Sequence, residues 1–330
     1  MLLSLASVVE GRTSQFALRF YGTGSEPPGQ QDRILLAVDD NVPGTEGNTP
    51  IDIGAGSFTL EWWMRGELAD NNTANTGGDV EAFDYSWIEG NIILDRDIWC
   101  GSERAYGVSL RGGFVSFGTG SGDLAPIDPA NTIEGNVDVL DGQWHHVAVV
   151  RDIVTGTKHI YVDTQLDFSS STGISFTDLS YPDEGIPVTP GNCEPGQITP
   201  YGWYLVVAAE KHDAGSAYPS FNGFIDQLRI WDKALSAGEI ASTHDRLVTP
   251  TSQGLAATYR FEEGSGTEVF DSSAAGSPVG DLRNGSAGNG EWVAWVDDPG
   301  NTAPIELGPE PIFDDGFESG DTSAWSTTVP

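Results

Sequence analysis

The stretch "FNGFIDQLRIWDKALSAGEI", residues 221–240, combines a strand pattern with the beginning of a helix. Its first half is rich in β-branched, aromatic and other apolar residues, which is typical of a β-strand. In its second half, Ser236 and Glu239 have the spacing of a capping box, and Leu235 and Ile240 have that of a hydrophobic staple. The sequence therefore predicts a strand that runs directly into a short helix.

An acidic residue lies inside the predicted strand. If side chains alternate between faces, Asp226 shares a face with Leu228 and Ile230 and points to the apolar side. A carboxylate in a core is costly unless it has a partner. Three interpretations stay open: a bound structural cation, hydrogen bonds from backbone N–H groups or from an arginine such as Arg19 or Arg260, or a register that differs by one residue.

Composition limits the possible partners of the chain. Among its 330 residues, 15 Lys and Arg face 49 Asp and Glu, which gives a formal net charge of −34. Such a charge repels nucleic acids and anionic membrane surfaces, so neither is expected as a partner, and it favours cations. Nothing in the sequence approaches a membrane span.

Short apolar runs between turn residues predict a mostly β protein. The chain has 42 Gly and 19 Pro spread along its length, as expected for many strands joined by turns. Sequence pattern predicts hairpins with turns at residues 111–113 and 155–156. Ten candidate strands lie at residues 16–22, 33–38, 58–65, 91–97, 106–110, 113–118, 143–152, 158–163, 203–210 and 224–231. The prediction is an all-β, two-sheet antiparallel sandwich with one short helix after the strand at 224–231.

The remaining segments are two long loops and the chain ends. The loops at 66–90 and 168–200 are acidic and contain aromatics, and loops of that length are commonly functional or disordered. Residues 1–15 are apolar but lack a basic n-region, so they are either a signal-peptide remnant or an ordinary terminus. Residues 299–330 are rich in Pro, Gly and acid and are predicted to be a linker and tail.

The two cysteines, Cys100 and Cys193, lie in turn-rich sequence without the C-x-x-C spacing of a zinc site. One interpretation is a single disulfide that closes a long loop, worth about 3 to 5 kcal/mol in the chain-entropy model. The alternative is two unpaired thiols.

The order of several pieces resembles a known family. "FTLEWWMR", "IILDRD…YGVSLRGGFVSFG", "DGQWHHVAVVRD", "LVVAAEKHDAG" and "FNGFIDQLRIWDKALSAGEI" resemble, in that order, the laminin-G-like or concanavalin A-like jelly roll that pentraxins share. The resemblance implies one jelly-roll domain over residues 16–298, which includes a C-terminal extension at 254–298 of the type found in secreted bacterial proteins. The tail "DDGFESGDTSAW" also resembles a motif of exported bacterial proteins, so the resemblance implies a secreted or cell-surface location.

The resemblance also implies calcium. The positions that match the pentraxin calcium ligands are Glu210, Asp213, Glu89 and Asn91, all with the oxygen atoms that Ca²⁺ prefers. The stretch after Asp213 lacks the acid and amide that complete a second metal site in pentraxins, so one Ca²⁺ is expected. Asp226 remains a second possible location for a cation.

The cysteine pattern departs from the family. The paired cysteines of pentraxins fall at Glu61 and Ala148 in this chain. Cys100 and Cys193 lie instead in loops after and before strands that the resemblance places at the same end of the sandwich, so a disulfide that braces the metal rim is compatible with the family fold.

Aromatic residues in the long loops are candidates for ligand binding. Aromatic rings can stack on sugar faces, and they can equally anchor a loop to the sandwich. The candidates are Tyr85, Trp87, Tyr181, Tyr201 and Tyr218. His145 and His146 are adjacent in a strand, point to opposite faces and therefore cannot chelate one ion together.

Catalytic motifs are missing from the sequence. Jelly-roll glucanases use a strand motif of the form E-x-D-x-x-E, which places two carboxylates about 5 Å apart, and no such run exists here. The predicted function is a secreted, non-catalytic recognition module for carbohydrate or glycoconjugate, assisted by calcium. The alternatives are a structural or adhesion module that binds protein partners, and a polysaccharide-degrading enzyme of the jelly-roll type.

Overall fold

The computed structural model of the 330-residue chain is an antiparallel two-sheet sandwich. The structure describes residues 12–22, 31–40, 48–71, 86–96, 104–119, 132–170, 178–181, 203–210, 218–283, 293–297 and 302–308. Within these ranges each sheet contains eight strands, and a separate two-stranded ribbon joins residues from the beginning and the end of the described chain.

One sheet carries the helix and is called the helix-bearing sheet. In spatial order it contains β11 (Gln165–Ser169), β10 (Thr157–Val162), β9 (His145–Asp152), β4 (Phe58–Gly66), β13 (Asn222–Trp231), β2 (Ala17–Tyr21) and β17 (Ala294–Val296), with β14 (Leu255–Tyr259) paired to β13. The helix, α1 (Ala237–Thr243), follows β13.

The second sheet faces it. In spatial order it contains β15 (Glu268–Val269), β16 (Gly280–Arg283), β3 (Arg33–Ala37), β12 (Tyr204–Val207), β5 (Asn91–Arg96), β6 (Tyr106–Arg111), β7 (Phe114–Thr119) and β8 (Thr132–Glu134). A 3-10 helix, Ser86–Glu89, precedes β5. The ribbon consists of β1 (Arg12–Thr13) and β18 (Glu306–Gly308).

The predicted fold class is confirmed. All ten candidate strands are present, and both predicted hairpins occur, as β6–β7 and β9–β10. The capping box of α1 is complete, with Ser236 and Glu239 each accepting a hydrogen bond from the other's backbone N–H. In the described chain, no helix is both long and apolar enough to cross a bilayer.

The core fills the space between the two sheets. Alternate residues of β4 point inward, and Phe58 contacts Tyr106 and Phe117 of the opposite sheet, with ring centroids 4.9 and 6.1 Å apart. On the outer face of the helix-bearing sheet, Leu235 and Ile240 of the helical segment bury themselves against Trp231 and its neighbours. The helix-bearing sheet is therefore covered on part of both faces.

Both ends of the described chain belong to the packed structure. The N–H of Ser14 donates to the carbonyl of Ile305 at 3.1 Å, and Ala303 and Ile305 pack against Trp63. Residues 302–308, which the sequence predicts to be part of a linker, form a strap on the helix-bearing sheet, with Ala303 and Ile305 buried and Pro304 between them exposed. Strands β14, β16 and β17 of the extension at 254–298 pair with strands of the main body.

Candidate functional site

Asp226 does not face the core, so the prediction from simple alternation is wrong. Its register partner on β4 is Trp63, whereas the inward-facing Ile225 pairs with Met64. A β-bulge follows Asp226, and Gln227 within it has φ 52°. The bulge shifts the alternation by one residue, which is the third interpretation that the sequence left open.

Asp226 is stabilised by hydrogen bonds, as the second interpretation expects. Its Oδ2 accepts from Ser14 Oγ at 2.8 Å and from the N–H of Ala303 at 3.1 Å. Burial raises the pKa of Asp226 well above its usual value, and nearby Glu262 raises it further. Ser14 Oγ also lies 2.7 Å from Glu262 Oε1, so the Ser14 hydroxyl links the two acids.

The predicted calcium ligands converge in part at one end of the second sheet. Strand β12 pairs with β5, and beyond it the N–H of Ala208 donates to the carbonyl of Ile93 at 2.8 Å. Because β12 and β5 are antiparallel, residues 208–210 extend toward the end of β5 at which Asn91 begins that strand. Glu210 therefore lies at the same end of the sheet as Asn91. Both side chains are buried, with exposed fractions of 1% for Glu210 and 2% for Asn91.

Residues 218–221 complete this end of the sheet. Asn91 Nδ2 donates to the carbonyl of Ser220 at 2.9 Å, and the N–H of Ile92 donates to the carbonyl of Pro219 at 2.8 Å. Partly exposed Tyr218 lies directly before them. We call Asn91, Glu210 and Tyr218, with the backbone of residues 219–221, the rim. It unites three of the predicted site residues from two distant parts of the chain.

Other predicted ligands are only partly described. Asp213 lies outside the described residues, and for Glu89 the backbone alone is described, in the 3-10 helix next to Asn91. Within the described ranges, no group of three or more His, Cys, Asp or Glu side chains could hold a metal. The oxygen donors of Asn91 and Glu210 fit Ca²⁺ chemically, but its six to eight ligands would need contributions from beyond the described side chains.

Two of the five candidate aromatics are buried. Trp87 is 0% and Tyr181 is 1% exposed, so in this structure they anchor their segments and offer no face to a sugar. Trp87 packs over Gly107 and Gly118, where any Cβ atom would overlap its ring. Tyr85 and Tyr201 lie outside the described residues, as do Cys100 and Cys193 of the predicted disulfide.

A buried ion cluster lies under α1 on the helix-bearing sheet. Glu61 Oε1 accepts from Arg229 Nη1 at 3.3 Å and from Trp231 Nε1 at 3.0 Å, and Glu61 Oε2 lies 3.3 Å from His146 Nε2. Burial opposes the charge of Glu61, but Arg229 and the hydrogen bonds outweigh it and hold the pKa at about 2. Burial lowers the pKa of His146, and Glu61 opposes this change.

The ion cluster fastens the end of the helix to the sheet. Arg229 donates to the carbonyls of Thr243 at 2.9 Å and Arg246 at 2.7 Å, and Trp63 Nε1 donates to that of His244 at 2.9 Å. The carbonyls of Thr243 and His244 belong to the end of α1, where a helix leaves its last carbonyls without the regular helical partners. Because every charged atom is buried, we assign the cluster to stability and not to ligand binding.

His145, the neighbour of His146, lies at the edge of the sandwich. Its Nδ1 is 2.8 Å from Asp163 Oδ2, and its Nε2 is 3.1 Å from Asp141 Oδ1. The hydrogen bond to Asp163 raises the pKa of His145, burial opposes the change, and Asp141 adds to it. The two histidines have separate partners, in agreement with their opposite orientations in the strand.

A row of cations and aromatic rings crosses the outer face of the helix-bearing sheet. Phe224 of β13 pairs with Arg65 of β4 on one side and with Arg19 of β2 on the other. The Arg65 guanidinium lies 4.4 Å from the Phe224 ring centroid and 5.9 Å from that of Trp144. Arg19 lies 5.0 Å from Phe224 and 4.4 Å from Tyr21. We call these five partly exposed residues the arginine–aromatic row.

A small pocket opens beside this row. Its volume is about 60 Å³, and its walls include Arg19, Arg65, Asn222 and the exposed acids Glu67 and Asp70. Cationic donors and anionic acceptors thus face the same space. We call it the row pocket. The pocket could not be predicted from the sequence because its residues come from three strands and two loops, although two arginines at outward strand positions are a usable signal in so acidic a chain.

Comparison with known proteins places the sandwich in a family. Residues 38–241, more than half of the chain, match the family described as the concanavalin A-like lectin/glucanases superfamily. The chain belongs to this superfamily. The laminin-G-like resemblance predicted from the sequence is therefore confirmed.

Individual relatives of this superfamily member match over limited lengths. Pentraxin-4 from Homo sapiens is 32% identical over 107 residues, which are 32% of this chain and 18% of Pentraxin-4. A candidate carbohydrate-binding protein from Bacteroides ovatus has a TM-score of 0.51 at 15% identity, over 89% of this chain and 62% of that chain. A pentraxin from Limulus polyphemus has a TM-score of 0.42 at 12% identity, over 83% and 98% of the two chains.

The strand pairing of β4 and β9 agrees with the pentraxin resemblance at one specific pair of residues. The positions of the pentraxin cysteine pair fall at Glu61 and Ala148, and these two residues are direct cross-strand partners on β4 and β9. A pair that a disulfide can join must lie this close. In this superfamily member the same place holds the ion cluster.

Proposed function

We propose that this protein is a secreted or cell-surface, non-catalytic module that binds carbohydrate at the rim, assisted by one Ca²⁺. The observation that carries the proposal is the convergence of Asn91, Glu210 and Tyr218 at one end of the second sheet. The lectin-like superfamily and the structural similarity to a candidate carbohydrate-binding protein support the same role.

The geometry of the rim suits a loop site that depends on a metal. Residues 208–210 and 218–221 are the two stems of the segment that contains Asp213, and the N–H of Phe221 joins them by donating to the carbonyl of Ala208 at 2.9 Å. Asn91 Nδ2 donates to the carbonyl of Ser220, which attaches Asn91 to the second stem. The ligands proposed for the calcium ion are Asp213, Glu210, Asn91 and Glu89. Tyr218 would supply the apolar platform for a sugar ring.

A thermal shift experiment tests the metal. At a tenfold excess of Ca²⁺ over its Kd, binding stabilises the folded state by about 1.4 kcal/mol, which corresponds to about 3 °C in Tm for a domain of this size. We expect Asp213→Ala to abolish the shift, and Asp226→Asn and the surface control Asp281→Ala to retain it. A wild-type Tm that is equal in calcium and in chelator refutes calcium binding. If only Asp226→Asn loses the shift, the calcium site is at Asp226 and not at the rim.

A glycan array followed by calorimetry tests the ligand. We expect Tyr218→Ala to weaken calcium-dependent glycan binding and the control Tyr204→Ala, at the opposite end of β12, to leave it unchanged. Binding to a protein partner with no glycan hit would favour the adhesion alternative. New reducing ends or unsaturated products from polysaccharides would favour the enzyme alternative.

A further inference from the structure

A short segment closes the end of the sandwich that lies away from the rim. Residues 178–181, which we call the plug, bury Leu179 and Tyr181 in the core between the sheets, with exposed fractions of 0% and 1%. The Arg96 guanidinium lies 5.4 Å from the ring centroid of Tyr181. Because Asn91 begins β5 and Arg96 ends it, the plug and the rim are at opposite ends of the second sheet.

The loop before β4 receives the plug, and we call the part of it that contains Asp52 and Gly54 the seat. The N–H of Leu179 donates to the carbonyl of Gly54 at 3.0 Å, and the N–H of Tyr181 donates to Asp52 Oδ1 at 2.8 Å. Gly54 has φ +118°, and a Cβ atom there would lie 2.9 Å from Leu179 Cβ, so glycine allows the close approach. Arg151 Nη1 of β9 donates to the carbonyl of Gly54 at 2.9 Å and fixes the seat to the sheet.

An incompletely satisfied ion pair lies beneath the plug. The side chains of Asp52 and Arg96 are 1% and 0% exposed, and Arg96 Nη2 is 3.8 Å from Asp52 Oδ1, which is beyond hydrogen-bond distance. Within the part of the chain that the structure describes, the three guanidinium nitrogens of Arg96, Oδ2 of Asp52 and Oη of Tyr106 have no hydrogen-bond partner. Buried polar groups without partners destabilise the closed arrangement. Water that reaches them when the plug leaves its seat would satisfy them.

The charge of Asp52 determines how strongly the closed arrangement is destabilised. Burial raises the pKa of Asp52 to about 6, although Arg96 and the hydrogen bond from Tyr181 lower it. Asp39, which follows β3, and Asp178 of the plug raise it further. Ionised Asp52 is therefore disfavoured under the plug relative to water.

Three neighbouring groups do not titrate near neutral pH. Burial raises the pKa of Tyr181 to about 12 and raises that of Tyr106 above its usual value. Burial opposes the charge of Asp178, but hydrogen bonds from Ser180 outweigh it and hold the pKa of Asp178 below its usual value. Among these groups, Asp52 is thus the one whose charge changes near pH 6.

We propose that the plug is a pH-responsive closure, which stays in its seat while Asp52 is protonated and leaves it more often once Asp52 is ionised. Opening hydrates Asp52 and Arg96 and removes the penalty of burying a carboxylate. Because the pKa of Asp52 is higher in the closed state than in the open state, closure is favoured at low pH, and this advantage is lost as pH rises through about 6. The end of the sandwich would thus be closed in acidic surroundings and open more often at neutral pH.

The two pKa values of Asp52 set the size of the effect. With the ordinary value of 3.8 in the open state and about 6 in the closed state, the equilibrium constant for opening rises about tenfold between pH 5 and pH 7.5. Asp52→Asn keeps a side-chain carbonyl that can accept from Tyr181, but it does not titrate. The variant should therefore show less than about a twofold change over the same range.

Amide hydrogen exchange, measured by NMR in chelator without sugar, tests the proposal. The exchange rate of Leu179, divided by the intrinsic rate at each pH, reports opening of the plug, and that of the buried Val149 in β9 reports global unfolding. We expect the opening constant of Leu179 to exceed that of Val149 and to rise about tenfold in wild type from pH 5 to pH 7.5. Asp232→Asn, which removes an exposed carboxylate after β13, is the matched control and should behave as wild type.

Three exchange results would overturn the proposal: equal opening constants for Leu179 and Val149, a tenfold rise that persists in Asp52→Asn, or a rise that Asp232→Asn also loses. A ¹³C titration of the Asp52 carboxyl in wild type needs no variant. A midpoint near pH 6 supports the proposal, and a midpoint below pH 5 overturns it. These measurements use neither calcium nor glycan, so a failure of binding at the rim would leave them unchanged.

Discussion

Replacing Glu61 by Gln tests how much the buried ion cluster contributes to stability. Glu61 and Arg229 are 0% and 1% exposed, so neither charge is screened by water. The pKa of Glu61 is lowered from 4.5 to about 2, which corresponds to about 3 kcal/mol of folded-state stabilisation at neutral pH. Arg229 keeps two carbonyl acceptors in the variant, so we expect Glu61→Gln to lower the free energy of unfolding at pH 7 by about 3 kcal/mol and not by more.

The dependence on pH gives this prediction its sharpest form. A carboxylate whose folded-state pKa is depressed stabilises the fold above its unfolded pKa of 4.5, and this stabilisation is lost as pH falls toward about 2. The difference between wild type and Glu61→Gln should therefore be complete at pH 6 to 7 and should narrow between pH 4.5 and pH 3. Guanidinium chloride unfolding, monitored by tryptophan fluorescence at each pH, measures it.

A matched control separates the cluster from general charge effects. Glu268→Gln removes the same charge from an exposed position on β15, and we expect its free energy of unfolding to change by less than about 0.5 kcal/mol at any pH. A deficit in Glu61→Gln that stays constant from pH 7 to pH 3 would refute the electrostatic argument. A deficit no larger than that of Glu268→Gln would refute the structural one.

Two further predictions concern other parts of the sandwich. The pKa of His145 is raised in the folded state, mainly by Asp163, so protonated His145 stabilises the fold below the unfolded pKa of about 6.5, and this stabilisation is lost as pH rises through the folded pKa. We therefore expect His145→Gln to lower Tm, measured by calorimetry, more at pH 5.5 than at pH 8.5. An equal decrease at both pH values would contradict this prediction. Gly118→Ala would place a Cβ atom 1.9 Å from Trp87 Cδ1 and should cost about 1–3 kcal/mol in chemical unfolding, whereas Gly56→Ala, with no atom within 4 Å, should cost less; equal values would show that Trp87 is loosely packed.

The elements that the sequence predicted well are those with strong local signals. Alternating apolar residues, glycine turns and the capping box are properties of short segments, so the ten strands and α1 could be found without tertiary information. Strand β11 was missed because its residues, QLDFS, are largely exposed on a sheet edge and show no buried face. Asp226 was assigned to the wrong face because the bulge at Gln227 leaves no mark in the amino-acid pattern.

Positions in the site were harder to predict because they depend on which strands become neighbours. The resemblance to pentraxins supplied that information for Asn91 and Glu210, whereas Tyr218 was a candidate only as a loop aromatic; the structure places all three at one end of the second sheet. It did not reveal that Trp87 is buried, although Gly107 and Gly118 at matching positions of a predicted hairpin indicate that something large approaches the sheet there. The arginine–aromatic row needs the order of β4, β13 and β2, which no local pattern specifies.

The residues at Glu61 and Ala148 change the physical basis of stability at that place. A disulfide joining them would close a loop of 148 − 61 = 87 residues. In the chain-entropy model it would stabilise the fold by about 4.6 kcal/mol, because it lowers the entropy of the unfolded chain. Glu61 acts instead in the folded state, through Arg229 and Trp231, and it extends the connection to the end of α1. Stability at this position therefore responds to acid and not to reductant. Because strand β13 carries Arg229 at one end and borders the row pocket at the other, the same cluster that holds the helix also fixes the strand on which Asn222 and Phe224 are presented.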